Sequence, residues 1–155
     1  MNETFRKHVE SLNHSFEQLT RMSPVTISTL QKRPPAKCIY LFSENGRHLY
    51  VGRTRKFRQR LRQHSIPAAQ HNQAVFAFKI AREATGRTDA AYSKKGSRVE
   101  LQNDPQFAEA FTLAKARIRS MELRFVEEID PLRQALLEIY VAVALGTPYN
   151  DFETH

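Results

Sequence analysis

Two tyrosines stand ten residues apart in "CIYLFSENGRHLYVGRTRKFRQRLRQH" (38–64), ahead of a run of cations and a histidine. These residue types can handle a phosphodiester. An arginine fork offers two parallel donors and a permanent charge to phosphate oxygens. A histidine can take a proton near neutral pH. Arg53, Arg55, Lys56, Arg58, Arg60 and Arg62 cannot all share one helix face, so most of them are solvated surface or phosphate contacts. Arg60 and His64 lie four apart on one side of a helix, a placement suited to reaching a tyrosine-bearing sheet face. The remaining requirement is a carboxylate for a divalent ion. Glu138 is the single acid of "PLRQALLEIYVAVALG", where Gln134 and Ala142 form a narrow strip with it. The strip either faces water or holds the carboxylate beside a sheet. Magnesium suits the second arrangement, because it uses few protein carboxylates and fills its shell with water and phosphate oxygens.

The elements that must position these residues follow from periodicity. Residues 38–53 read as a β-hairpin around "ENG". Apolar alternation favours a three-residue loop, Glu44-Asn45-Gly46, which pairs Tyr40 with Tyr50. That register gathers Ile39, Leu41, Leu49 and Val51 on one face. It leaves Cys38, Tyr40, Phe42, His48 and Tyr50 on the other. Thr54 is placed to cap a helix over 55–65, with Phe57 and Leu61 on its inner face.

Elsewhere, Phe5, Val9, Leu12, Phe16 and Leu19 form one stripe of a helix over 2–22, which either packs on the core or makes a dimer seam. Residues 22–37 carry three prolines and read as a connector ending in an extended segment. "HNQAVFAFKIAREATG" ends in Gly86 and favours a helix. Residues 86–103, with Lys94 and Lys95, read as a basic loop. Asp104-Pro105 and Asp130-Pro131 each start a helix. "MELRF" alternates as a strand, and Gly146 and Pro148 end the last helix, whose nearly all-round apolarity predicts burial.

The chain has 155 residues, enough for one domain with a real core. Its net charge of +8 and pI near 9.9 favour polyanionic partners. Cys38 is the only cysteine, which excludes an internal disulfide and argues against a thiolate zinc site. The opening "MNETFRKHVE" lacks the apolar core of a signal peptide, and the expected compartment is the cytoplasm.

With these residues collected, the chain resembles the GIY-YIG nuclease family. Cys38-Ile39-Tyr40 matches the first signature, with Cys38 where the family has glycine, and Tyr50-Val51-Gly52 matches the second. Arg60, His64, Glu138 and Asn150 follow in the family's order. The resemblance implies an α+β fold with a small three-stranded antiparallel sheet flanked by helices. Residues 1–35 would add a helix and connector, 36–155 would form the nuclease-like domain, and about 66–120 would be an insertion.

The resemblance also implies a metal-dependent endonuclease acting on DNA. Glu138 would hold one Mg2+ or Mn2+, Arg60 would stabilise developing charge, and Tyr40 would orient or deprotonate the attacking water. His64 would accept a proton, Tyr50 would position a phosphate oxygen or water, and Asn150 would orient Glu138 or Tyr40. Arg53, Arg55, Lys56, Arg58, Lys94 and Lys95 are the candidate nucleic-acid contacts. Two other readings compete: an inactive nucleic-acid-binding module on the same scaffold, and an interaction protein that dimerises or binds a partner through 2–22.

Overall fold

The computed structural model describes residues 1–87 and 98–152. The described chain forms two compact units, one of 1–58 with 121–155 and one of 59–120. The first unit is built on a three-stranded antiparallel sheet in the order β2-β1-β3, with β1 at Cys38–Glu44, β2 at Arg47–Thr54 and β3 at Glu122–Glu127.

The β1–β2 hairpin turns through Asn45 and Gly46 alone, with φ of 52° and 75°, and Glu44 pairs with Arg47. A two-residue turn with both centres at positive φ matches the strands' right-handed twist, and Asn-Gly is its preferred sequence. The expected three-residue loop is therefore corrected. Tyr40 pairs with Gly52, and Tyr50 pairs with Phe42. The two tyrosines nevertheless share a face, because the register shifts between Phe42 and Ser43. This shift leaves Leu49 as an extra residue on β2, and one bulged residue restores the parity that the shorter turn would have broken. It also moves His48 opposite Ser43, away from the tyrosines, where its Nδ1 lies 2.7 Å from Ser43 Oγ.

The resulting sheet has one aliphatic and one aromatic face. Ile39, Leu41, Val51 and Val126 pack in one cluster with Leu12 and Leu19 of α2 (Leu12–Arg21) and Leu137, Val141 and Ala142 of α7 (Pro131–Leu145). On the opposite face, Tyr40 lies 5.8 Å from Phe42 and 5.8 Å from Phe57, centroid to centroid, and Phe57 lies 5.1 Å from Phe125. Phe57 opens α3 (Phe57–Ser65), and its amide donates to Ala36 O at 3.0 Å. Thr54 Oγ1 accepts from Lys56 N at 2.9 Å, which shapes the strand-to-helix turn. Arg58 donates Nη2 to the carbonyls of Gln31 and Lys32, holding the connector against the start of α3.

The expected single helix over 2–22 is two helices, α1 (Glu3–Glu10) and α2, separated at Ser11. Ser11 Oγ donates to His8 O at 2.7 Å, a local bond that competes with continuing the helix. Leu12 and Leu19 are buried, and Phe16 meets Tyr140 edge-on at 4.7 Å, so the α2 part of the stripe packs on the core. Phe5 on α1 is exposed.

Helix α7 starts as expected, with Asp130 accepting from Arg133 N at 2.9 Å, and ends at Gly146 with φ 60°. Its expected near-complete burial is corrected: Leu132, Ile139 and Val143 are exposed. The helix is an outer layer, so only the face turned to the sheet and α2 is covered.

The second unit contains α4 (Val75–Thr85), α5 (Arg98–Asn103) and α6 (Pro105–Arg119), packed around Phe78, Phe107 and Phe111. Residues 98–103 were expected in a loop and are helical, because burial of Leu101 rewards the turn. Among the described residues, no helix is long and apolar enough to cross a membrane.

Candidate active site

Three consecutive residues of the edge strand β2 each hold one piece of the candidate site. The first is Val51. Asn150 Oδ1 accepts from Val51 N at 2.9 Å, and Asn150 Nδ2 donates to Val51 O at 2.8 Å. The carboxamide therefore satisfies an edge residue as a neighbouring strand would. Thr147 Oγ1 donates to Asn150 Oδ1 at 2.7 Å, and Tyr149 N donates to Leu49 O at 3.2 Å. The segment after α7 thus lies along β2. These bonds of Asn150, the residue expected to orient Glu138 or Tyr40, fix the backbone between Tyr50 and Gly52.

The second is Gly52. Tyr40 crosses from β1 so that its ring edge and hydroxyl occupy the space a Cβ at Gly52 would need. Any side chain there would collide with the phenol, which gives a physical reason for glycine opposite this tyrosine. Tyr40 is 1% exposed and Tyr50 9%, with ring centroids 6.5 Å apart.

The third is Arg53. It pairs with Ile39 and so projects on the aliphatic side, where α7 delivers Glu138. Arg53 Nε donates to Glu138 Oε2 at 3.0 Å. The polar strip of α7 does not face water as a whole: Gln134 and Ala142 are buried, and Gln134 Nε2 donates to Thr54 O at 3.1 Å and Glu128 O at 2.7 Å. These bonds fix the rotation of α7 that brings Glu138, one turn later, to β2. Successive strand residues rise about 3.4 Å, so the phenol from the aromatic face and the carboxylate from the aliphatic face meet adjacent residues of the edge strand, whose backbone the carboxamide holds.

Arg60 and His64 belong to the second unit. Arg60 Nη1 donates to Gln73 O at 2.8 Å and to Gln63 Oε1 at 3.1 Å. His64 is fully buried, with its ring edge-on to Phe76 at 6.4 Å. Burial, and secondarily the charge of Arg60, hold the His64 imidazole well below its ordinary pKa, so it is neutral at pH 7. Arg55 and Lys56 are exposed, as phosphate contacts require. Lys94 and Lys95 lie outside the described residues. Cys38 is buried, and desolvation followed by the Glu127 charge pushes its thiol up to about 12, so it is no thiolate nucleophile.

Among the described residues, no group of three or more His, Cys, Asp and Glu side chains gathers as a metal site. A zinc cage needs such a group. A single accessible carboxylate, with water and phosphate completing the shell, suits magnesium or manganese, and Glu138 fits that pattern with its side chain 26% exposed. Two features went unforeseen in the sequence: the Arg53–Glu138 pair and the Thr147 support of Asn150. The alternation of Val51 and Arg53 toward the α7 side was the available signal for the pair.

The chain belongs to the GIY-YIG family: the family model of the GIY-YIG catalytic domain matches residues 36–150. No curated protein and no solved structure matches it.

Proposed function

We propose that the protein is a metal-dependent endonuclease that hydrolyses phosphodiester bonds of DNA. The observation that carries this reading is that three adjacent residues of the edge strand β2 are each engaged by one family-matched group: Gly52 by the Tyr40 phenol from one face, Arg53 by the Glu138 carboxylate from the other, and Val51 by the Asn150 clasp. Glu138 is the residue that would hold a magnesium or manganese ion. The ion would neutralise charge on the scissile phosphate and the leaving oxygen.

The chain's own residues perform the remaining work. Tyr40 orients the attacking water or takes its proton, and its setting against Tyr50, Phe42 and Phe57 fixes the ring. Tyr50 positions a phosphate oxygen or water. Arg60 offers a fixed cation to the charge that develops on phosphorus oxygens. His64 is neutral and fully buried, and burial makes its imidazole a weak base, so its part in this reading is to stand beside Arg60 on α3, with proton transfer left to Tyr40. Arg55 and Lys56 bind flanking phosphates, and the net charge of +8 supports attraction to a polyanion.

The test is a panel of duplex, flap, branched and single-stranded DNA, with RNA beside it, incubated with Mg2+ or Mn2+ and either the protein or Glu138→Ala. Cleavage of at least one DNA by the protein alone supports the reading. Binding without cleavage, equal in the two proteins, supports an inactive nucleic-acid-binding module.

A further inference from the structure

The two partners of the Arg53–Glu138 pair are held very differently. Glu138 stands on a helix capped at both ends, flanked by buried Leu137 and Val141 and rotated into place by buried Gln134. Arg53 stands on the edge strand with its side chain 48% exposed, and its Nε lies 3.0 Å from Glu138 Oε2. A divalent ion at Glu138 would neutralise the carboxylate and repel the guanidinium, so the two cations compete there even though a carboxylate can accept from both. The long, half-exposed arginine is the partner able to swing away. An arginine released beside a bound phosphodiester meets the anion its fork geometry suits best.

We propose that Arg53 is a displaceable counter-cation of the metal carboxylate. It occupies Glu138 until a divalent ion takes the carboxylate, and its guanidinium then passes to a phosphate oxygen of the substrate strand. This rests on the reading of Glu138 as the metal carboxylate. It moves Arg53 from a general phosphate contact to a residue that couples metal loading to substrate binding. The ordinary alternative is a static surface pair, indifferent to metal.

The experiment measures Mn2+ binding to the full chain without nucleic acid, by electron paramagnetic resonance of the free ion. Arg53→Gln, Arg53→Lys, Arg55→Gln and Glu138→Gln are compared with the parent, together with the Arg53→Gln/Glu138→Gln pair. Arg53→Gln is expected to bind Mn2+ about two- to fivefold more tightly, the size expected for release of a half-exposed ion pair. Arg55→Gln removes the same charge from a neighbouring exposed position and is expected to change affinity less. In the Glu138→Gln background the Arg53 effect should vanish, as coupling between the two residues requires. Arg53→Lys keeps the cation without the fork and is expected to fall between Arg53→Gln and the parent.

Equal or weaker Mn2+ binding by Arg53→Gln, with binding lost in Glu138→Gln, overturns the inference while leaving the metal reading intact. Binding unchanged in Glu138→Gln overturns the metal reading itself. Equal gains in Arg53→Gln and Arg55→Gln would reduce the effect to general electrostatics and also overturn the inference.

Discussion

The Tyr40 hydroxyl lies where the side chain of Gly52 would begin. The phenol can cross the hairpin only because its cross-strand partner has no Cβ. Gly52→Ala must push the ring aside inside a packed aromatic face. The expected cost is about 1–3 kcal/mol of stability, the usual range for overpacking, read from urea denaturation. Nuclease activity should fall by more than the folded fraction does, because the displaced group is Tyr40 itself. An alanine variant with parental stability and activity would show that the phenol's position has no part in the chemistry.

Asn150 replaces a strand neighbour for Val51. Asn150→Ala removes both bonds and leaves an edge amide and carbonyl to find water, so a loss of about 1–3 kcal/mol is expected. Asn150→Asp keeps the acceptor for Val51 N but sets a carboxylate oxygen against Val51 O, and it should also destabilise. Amide hydrogen exchange at Val51 reads the clasp directly and should rise in both variants. Unchanged protection there would contradict the assignment.

His64 is buried with a depressed pKa. Above the unfolded-state pKa near 6.5 both states are neutral and its titration costs no stability. As pH falls below about 6.5 the unfolded chain binds a proton that the folded chain refuses. Stability is then lost at up to about 1.4 kcal/mol per pH unit until the lowered folded pKa is reached. His64→Leu should show a shallower fall between pH 6.5 and 5. Parallel stability curves for the two proteins would mean that His64 titrates normally in the fold.

Much of this arrangement is legible in the sequence. The aliphatic alternation of Ile39, Leu41 and Val51, the Asp-Pro starts at 104 and 130 and the glycine stops at 86 and 146 each encode a local preference that packing did not oppose. The tyrosines' shared face was right for the wrong register. The choice between a three-residue loop and a two-residue turn with a bulge depends on the strong positive-φ preference of Asn45-Gly46, whereas face alternation has the same parity in both. The break at Ser11 and the α5 turn at 98–103 depend on a single local bond and a single buried leucine, which carry no periodic signal. The Arg53–Glu138 and Asn150–Val51 contacts span 85 and 99 residues. Only the fold brings such pairs together.

The central claim is that Glu138 serves a metal-dependent phosphodiester hydrolysis. The most direct measurement is nicking of supercoiled plasmid by the purified chain, with Mg2+ and with chelator, beside Glu138→Ala and Arg60→Ala. Nicking should need the ion and disappear in each variant, while plasmid binding should weaken steeply with salt in all three proteins. Nicking that persists in chelator, or that survives both substitutions at the parental rate, would contradict that claim.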